Sequence, residues 1–250
     1  MCSLCNVSNR NLFHSDQVQN TSRRRVLGAA LAGLAATLPL GAMASQPPSP
    51  QNVLRPQQAL ERLMQGNARY VAGTSQVAGF EQTRQRLAAG QNPYACLLSC
   101  ADSRIGPEYC FDEGRGDLFV TRVAGNFVTP EILASLEYGV AVLGAPLIMV
   151  LGHTSCGAIG AAVDAYDKHT QFPGHIQSLT TALAGAVKAA QQSGASSNLV
   201  AAATEQNVIQ NVRQLRQASP LLAPRVNAGD LLIVGAIYEL ASGKVRLLEV

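Results

Sequence analysis

The sequence is poor in charged residues and in cysteines. Charged side chains make up 14% of its 250 residues, hydrophobic ones make up 47%, and there are six cysteines. So little charge beside so many apolar residues excludes an intrinsically disordered chain and a protein that coats nucleic acid. The 22 glycines follow no fixed period and the cysteines are sparse, which excludes collagen-like chains and disulfide-stapled scaffolds. The length fits one domain of ordinary size or at most two small ones.

The net charge of +3 comes entirely from the first 44 residues. This segment contains four arginines and one aspartate, whereas the rest of the chain carries 15 basic and 15 acidic side chains. Because residues 45–250 are electrically balanced, the composition gives no reason to expect a nucleic-acid partner.

The N-terminal segment is predicted to be a signal peptide of the twin-arginine type. Arg23 and Arg24 stand before an apolar stretch rich in alanine and leucine, which ends in the small-x-small sequence Ala42-Met43-Ala44. A basic region, an apolar region and such a cleavage site define a secretory signal. We therefore predict a signal peptide over residues 1–44, a linker over 45–55 and a folded domain over 56–250.

Such a signal predicts export, to the periplasm in a bacterium with two membranes, with no stable membrane insertion after cleavage. The alternative is an uncleaved anchor, because residues 26–44 approach the length of a helix that spans a bilayer. Three glycines and a proline interrupt this stretch, and alanine contributes little hydrophobicity, so the sequence favours cleavage.

Short apolar runs alternate with helical patterns along the predicted domain. The apolar runs predict strands at residues 94–100, 117–123, 146–151, 231–237 and 245–248. Helical spacing and helix-start signals predict helices at 57–71, 130–143, 176–193 and 198–217. Strands with two apolar faces that alternate with helices indicate an α/β fold, with a mainly parallel sheet of four to five strands flanked by helices.

Two motifs carry polar chemistry, and each follows a predicted strand. Cys100 comes directly after the first strand, and His153 and Cys156 follow the third. Because ligands collect at the carboxyl ends of neighbouring parallel strands, we expect these side chains to converge. Two thiolates and one imidazole suit zinc. Cys156 is expected in the first turn of a helix, whose dipole favours the thiolate.

The fourth ligand decides whether this zinc site is structural or catalytic, because a structural site is closed by four protein ligands. Cys96 lies about 13 Å from Cys100 on an extended strand, too far to share one ion. Cys110 is within reach along the chain, but its aromatic neighbours suggest that it packs in the core. Asp102 or water remains as the fourth ligand, so we expect an open site.

Asp102 and Arg104 stand two positions apart and are expected to form an ion pair. A carboxylate held by a bidentate arginine stays ionised and is directed away from the metal. Without Arg104, Asp102 would be free to bind the zinc as a fourth ligand and give an inactive form. The pair is therefore a candidate catalytic dyad.

The motif Cys100-Ala101-Asp102-Ser103-Arg104, followed by His153-Thr154-Ser155-Cys156-Gly157, resembles the β-class carbonic anhydrases. Residues 65–67, 116–126 and 235–238 extend the similarity through most of the predicted domain. The resemblance implies the fold of that family over residues 56–250 and one Zn2+ per subunit, held by the two cysteines and the histidine. It implies reversible hydration of CO2 to bicarbonate and a proton by attack of zinc-bound hydroxide. A homodimer or a higher homo-oligomer is also implied.

The resemblance assigns the substrate pocket to Gln91, Phe119, Tyr138 and the backbone N–H of Gly157. Gln91 lies nine residues before Cys100, which is the spacing of the glutamine in plant-type members. The bicarbonate-inhibited subgroup has a tryptophan three residues before its first cysteine ligand, whereas this chain has Leu97 there and contains no tryptophan. These features predict the plant-type subgroup.

Two other functions remain open from the sequence. A hydrolase of CS2 or COS on the same scaffold would use the same motifs, because the same metal chemistry acts on a similar linear molecule. A non-catalytic zinc-binding protein would need a fourth permanent ligand or a missing dyad, and the intact Asp102 and Arg104 argue against it.

Overall fold

The computed structural model describes residues 53–77, 80–194, 198–218 and 220–250, so the predicted signal peptide lies outside the described residues. The strands of the described chain are β1 (Ala95–Ser99), β2 (Leu118–Arg122), β3 (Leu147–His153), β4 (Leu232–Tyr238) and β5 (Val245–Leu248). Its helices are α1 (Pro56–Val71), α2 (Phe80–Leu87), α3 (Pro107–Cys110), α4 (Pro130–Ala141), α5 (Gly157–Asp167), α6 (Ile176–Gln192), α7 (Leu199–Gln217) and α8 (Leu222–Ala228). A search of these described helices found none with the length and hydropathy that a membrane crossing requires.

The five strands form one sheet in the order β2–β1–β3–β4–β5. The strands from β2 to β4 pair in parallel, whereas β5 pairs antiparallel with β4. β1 and β3 are buried along their whole length, as expected for parallel strands covered on both faces. This arrangement confirms the predicted α/β fold with a mainly parallel sheet.

Alternate residues of the central strands enter two cores, one on each face of the sheet. On one face, Leu97 and Met149 belong to the same core cluster as Leu63 of α1. On the other face, Leu98 belongs to a cluster with Val208 of α7. Burying a side chain of this size contributes about 1.5–3 kcal/mol, so the two cores fix the sheet between helical layers.

Gly66 and Asn67 of α1 make close contacts with the region of α3 and with β5. A Cβ on Gly66 would lie 1.8 Å from the Phe111 carbonyl oxygen, so this close approach requires glycine. The buried Asn67 amide donates to the carbonyl oxygens of Cys110 and Gly243, both at 2.8 Å. Its oxygen accepts from the first backbone N–H of β5 at 2.9 Å. These bonds join α1 to α3 and to β5, which explains the Gly66-Asn67 sequence.

The predicted strands and helices are all present, and their ends differ from the prediction by no more than two residues. β3 extends two residues further than predicted, so His153 stands on the strand itself. Helices α2, α3 and α8 were not predicted from the sequence. α3 has four residues and α8 has seven, with Pro224 inside it, and neither offers a long enough pattern to recognise.

Candidate metal centre

The three predicted metal ligands come from the carboxyl ends of β1 and β3. Cys100 directly follows β1, and His153 is the last residue of β3. Cys156 is the N-cap of α5, one position before the first turn in which it was expected. Because β1 and β3 are hydrogen-bonded neighbours that run parallel, their ends meet at one edge of the sheet. The topology therefore brings the two motifs together.

The side chains of these three residues form a compact, buried cluster. One potential ligand atom from each lies within 4.8 Å of the others, and the two sulfur atoms are 4.0 Å apart. His153 is fully buried, and both cysteines are buried as free thiols. Within the described residues this is the one group of three or more such side chains that could hold a metal ion.

His153 presents one unprotonated nitrogen. Its Nδ1 atom is 2.9 Å from the Thr154 carbonyl oxygen. A carbonyl oxygen only accepts, so Nδ1 carries the proton in the neutral ring and Nε2 carries the lone pair. Nε2 is buried and has no hydrogen-bond partner among the described residues. A buried polar atom left without a partner is costly, and a metal ion would satisfy it.

The two thiols share one electrostatic environment. The contact between the two sulfur atoms lowers the pKa of the Cys100 thiol and raises the pKa of the Cys156 thiol. The backbone N–H of Gly125 also donates to the Cys100 sulfur, at 3.3 Å. Two adjacent sulfur atoms, one of which accepts a backbone N–H, form an environment that favours thiolate and suits a divalent cation.

The predicted ion pair between Asp102 and Arg104 is present beside the cluster. The Arg104 side chain donates to both oxygens of the Asp102 carboxylate, from Nε to Oδ1 at 2.9 Å and from Nη2 to Oδ2 at 2.7 Å. The backbone N–H of Arg104 adds a third bond to Oδ1 at 2.9 Å. Chiefly through the Arg104 side chain, the pKa of Asp102 is held far below its usual range.

The Asp102 carboxylate also lies close to the metal cluster. Its Oδ2 atom is 3.9 Å from His153 Nε2. Both carboxylate oxygens are engaged by Arg104, whose Nη2 also donates to the Ser155 carbonyl oxygen at 3.2 Å. The carboxylate is therefore ionised, adjacent to the cluster and restrained by an arginine that also contacts the second ligand loop.

Two residues at this edge of the sheet were not identified as site residues from the sequence. Arg122, at the end of β2, donates to three carbonyl oxygens of the loop that carries Cys100 and Asp102. Asn126 is buried, and its Nδ2 atom has no partner among the described residues. Both residues lie in the segment 116–126 that extends the family resemblance, but neither was assigned a role in the site from the sequence.

One of the four predicted substrate positions lies at the cluster. Gly157 directly follows the Cys156 ligand and begins α5, so its backbone N–H is at the positive end of a helix. Apart from its chain neighbours and the backbone of its own helix, no described atom lies within 4 Å of the place where a Cβ would stand, so the space beside Gly157 is open to the described residues.

The other three substrate positions lie near the opposite end of β1. Phe119 is in register with Cys96, and its ring is 6.1 Å from that of Tyr138, centroid to centroid. Gln91 is exposed and precedes β1. Cys100 lies four residues beyond Cys96, about 13 Å at the rise of a strand. Within one chain, the structure does not bring Gln91, Phe119 and Tyr138 to the metal cluster.

The two remaining cysteines of the described chain are separate from the cluster. Cys96 belongs to the core on the α4 and α7 face, and burial raises its pKa to about 12. Cys110 lies in the core on the α1 face, close to Tyr238, and burial raises its pKa as well. The expectation that both cysteines pack in the core is confirmed.

Comparison with known proteins gives the same assignment for most of the chain. The family profile described as "Carbonic anhydrase" matches residues 95–245. The protein named "Carbonic anhydrase 2" of Mycobacterium tuberculosis is 39% identical over 193 residues, covering 77% of this chain and 92% of that protein. A carbonic anhydrase of Mycolicibacterium smegmatis is 39% identical over 194 residues, covering 77% of this chain and 93% of that protein.

Solved structures show the same fold. The β-carbonic anhydrase CcaA has a TM-score of 0.60 and 26% identity, covering 76% of this chain and 95% of that one. The β-carbonic anhydrase CafA of Aspergillus fumigatus has a TM-score of 0.61 and 26% identity, covering 77% of this chain and 90% of that one. From this fold, this profile and these relatives we conclude that the chain belongs to the β-carbonic anhydrase family of enzymes.

Proposed function

We propose that this chain binds one Zn2+ per subunit through Cys100, His153 and Cys156 and catalyses the reversible hydration of CO2 to bicarbonate and a proton. The observation that carries the proposal is the buried His153 Nε2 atom, which lies with two thiols in one cluster and has no other partner among the described residues. The relatives named carbonic anhydrase support the same reaction.

The donor set fits zinc and the chain holds each donor in place. When bound, zinc lowers the pKa of a coordinated water and so supplies a nucleophile near neutral pH. The Thr154 carbonyl oxygen fixes the imidazole tautomer, and the Gly125 N–H supports the Cys100 thiolate. Three protein ligands are the number that catalytic zinc sites provide, so substrate has a position to enter.

Asp102 and Arg104 orient the reacting water in this proposal. Because Arg104 holds both carboxylate oxygens, Asp102 stays ionised. The O–H of the reacting water then donates a hydrogen bond to the Asp102 carboxylate. The lone pair of the water oxygen then points towards the carbon of CO2. The Gly157 N–H, at the start of α5, is placed to donate to a substrate oxygen.

A second copy of the chain completes the substrate pocket in this proposal. Tyr138 is 47% exposed, and Val142, one turn further along, is 64% exposed, so the α4 side of the sheet presents an apolar patch. In a homodimer or a higher homo-oligomer that buries this patch, Gln91, Phe119 and Tyr138 of one subunit line the metal site of the next.

Complementation between inactive subunits tests this arrangement. A Tyr138→Ala chain keeps its ligands, and a Cys156→Ala chain keeps its Tyr138, so mixed dimers contain one intact site if the pocket is shared between subunits. We expect activity to return when the two variants are denatured and refolded together. A mixture that associates, by mass, but stays inactive would show that each site is built from one chain.

The central test combines zinc analysis with stopped-flow CO2 hydration. We expect about one zinc per chain in the parent protein, with both zinc and activity lost in Cys156→Ala. The matched control is Cys96→Ala, which removes a buried thiol of the core and should keep the zinc. Hydrolysis of COS or CS2 without hydration of CO2 would show that the chain is a hydrolase of those molecules instead. Zinc without any of these activities would make the chain a non-catalytic zinc-binding protein.

The absence of tryptophan at position 97 and the spacing of Gln91 support the plant-type subgroup within this proposal. Members of the other subgroup are inhibited by bicarbonate, so the proposal expects no such inhibition here. Activity measured after incubation with increasing bicarbonate should follow simple product competition. A cooperative loss of activity would place the chain in the inhibited subgroup.

Export by the twin-arginine route is also part of the proposal, supported by Arg23, Arg24 and the apolar stretch that follows them. Twin-arginine export carries proteins that are already folded, so zinc could protect the ligand thiols before they meet an oxidising compartment. Replacing both arginines by lysine should leave the protein in the cytoplasm. An unchanged periplasmic fraction would exclude this route.

A further inference from the structure

Arg122 binds the loop between β1 and α3 at three points. From the end of β2, its Nε atom donates to the Cys100 carbonyl oxygen at 2.9 Å. Its Nη2 atom donates to the carbonyl oxygens of Asp102 at 2.8 Å and of Ile105 at 2.9 Å. One guanidinium group therefore donates to backbone carbonyls at the beginning, middle and end of the segment 100–105. This segment contains a metal ligand and both residues of the dyad.

These bonds select one conformation of that loop. The Ile105 N–H donates to the Asp102 carbonyl oxygen at 3.2 Å, which closes a turn over residues 102–105. Arg122 binds both end carbonyls of this turn from outside. Among the described residues no carboxylate lies within ion-pair distance of the Arg122 guanidinium, so its charge is directed at the loop carbonyls.

We infer that Arg122 is a positioning residue, which holds the turn so that Arg104 can keep the Asp102 carboxylate off the metal. This inference rests on the proposed zinc site. Asp102 Oδ2 is 3.9 Å from His153 Nε2, so a modest change in the turn would bring the carboxylate to the metal. The ion pair needs the Arg104 side chain. It also needs a turn whose backbone places the side chains of Asp102 and Arg104 on the same side.

Arg216 provides a matched control elsewhere on the sheet. Its guanidinium also donates three hydrogen bonds to backbone carbonyls, two to Ile233 and one to Val250. Ile233 lies near the start of β4, at the end of the sheet opposite to the metal cluster. Loss of Arg216 removes the same number and kind of bonds without touching the loop of residues 100–105.

Azide binding to the cobalt-substituted protein tests the inference. Azide reaches the metal only where a ligand position is open, and its binding is followed by the visible absorption of Co2+. We expect Arg122→Met to raise the azide Kd at least about tenfold, a factor that corresponds to about 1.4 kcal/mol. Arg216→Met should leave the azide Kd within about twofold of the parent value, even if both variants lose thermal stability. Arg122→Lys keeps the positive charge but loses the planar guanidinium, two of whose nitrogens donate to the loop, so it should also weaken azide binding.

A double variant identifies the group that competes with azide. Adding Asp102→Asn to Arg122→Met should return the azide Kd to that of Asp102→Asn alone, because the amide is a poor metal ligand. An unchanged azide Kd in both Arg122 variants, or equal weakening in Arg122→Met and Arg216→Met, would overturn the inference. A parent protein that does not bind Co2+ would overturn the proposed metal site and, with it, this inference. Should Arg122→Met not fold, Arg122→Lys supplies the same comparison.

Discussion

At the residue scale, two of the three metal ligands and the neighbouring Asp102 carboxylate are each fixed by a group that is not itself a ligand. The Thr154 carbonyl oxygen fixes the His153 tautomer, the Gly125 N–H supports Cys100, and Arg104 holds Asp102. Partners of this kind set the orientation and basicity of metal ligands, and losing one typically costs about 10–100-fold in metal affinity or activity. Function here depends on hydrogen bonds to the ligands as much as on the ligands.

Asp102→Asn tests the role of the carboxylate directly. The amide keeps the size of the side chain but removes the charge that accepts a hydrogen bond from the water. We expect kcat/KM for CO2 hydration to fall by about 100-fold or more, with unchanged zinc content. A loss of less than about threefold, with full zinc content, would remove Asp102 from the catalytic dyad.

Position 125 requires glycine for two reasons, a positive φ and close packing, and substitutions can separate them. Its φ is +86°, and a Cβ there would lie 2.7 Å from Leu183 Cδ1. Gly144 has a similar φ of +75°, and no atom of the part of the chain that the structure describes lies within 4 Å of a Cβ there, its chain neighbours aside. Gly144→Ala should therefore cost only the backbone strain, about 1–2 kcal/mol. Gly125→Ala should cost about 1–3 kcal/mol more through overpacking, as measured by urea unfolding. Equal losses in the two variants would refute the packing argument.

The ligands could be predicted from sequence because their spacing is fixed by their own loops. Cys100, His153 and Cys156 follow strands whose apolar runs are easy to recognise. Arg122 could not be predicted as a site residue, because its partners are backbone carbonyls that any sequence provides. The location of Phe119 depends on the register of β2 against β1, which the sequence does not state.

At the scale of elements, α4 approaches the sheet through a glycine. A Cβ on Gly139 would lie 2.4 Å from the Cys96 sulfur and 3.2 Å from Phe119 Cδ1. Gly139→Ala should therefore destabilise the protein by about 1–3 kcal/mol, although alanine favours helices. The methyl group of Gly160→Ala in α5 meets no atom of another described element within 4 Å, so this change should stabilise the protein by about 0.5–1 kcal/mol.

The Gly139 contact can be confirmed by a second change. Cys96→Ala removes the sulfur that the new methyl group would meet, so the two substitutions should be coupled by at least about 0.5 kcal/mol. Thermal unfolding of both single variants and the double variant measures this coupling. Strict additivity would mean that Cys96 does not limit how closely α4 packs.

Among the helices, long ones could be predicted and short ones could not, for a physical reason. α1, α6 and α7 are long enough to repeat an apolar face several times, and β1 and β3 are apolar throughout. α3 is a single turn whose first residue is Pro107 and whose last, Cys110, is buried beneath α1. Tertiary contacts, rather than intrinsic propensity, form such a helix.

At the scale of the whole molecule, one buried carboxylate links stability to pH. Asp112 accepts from Arg69 Nε at 2.6 Å and from the backbone N–H groups of Gln76 and Val77 at 3.0 and 3.3 Å. Burial alone would raise the pKa of Asp112, but the bonds from Arg69, Gln76 and Val77 outweigh it and hold the pKa below its ordinary value. Asp112 therefore binds fewer protons in the folded state than in the unfolded one.

This pKa shift has a definite sign for stability. The contribution of Asp112 is complete above its unfolded pKa of about 4 and is lost as the pH falls through the lower folded pKa. Asp112→Asn should reduce stability at pH 7 and make the free energy of unfolding fall less steeply below pH 5. Asparagine tolerates the φ of +48° at this position, so the backbone is retained. Asp230→Asn, at an exposed position, should keep the parent's pH profile, and an identical profile in Asp112→Asn would contradict this account.

X-ray absorption at the zinc K-edge of the purified protein identifies the atoms bound to the metal and so tests the proposed three-ligand site. We expect two sulfur atoms at about 2.3 Å and one imidazole nitrogen at about 2.0–2.1 Å, with a light atom in the fourth position. Cys156→Ala should lose one sulfur from this shell or the zinc altogether, whereas Cys110→Ala should leave the spectrum unchanged. A shell of three or four sulfur atoms, or a protein that is active without zinc, would contradict an open site held by Cys100, His153 and Cys156.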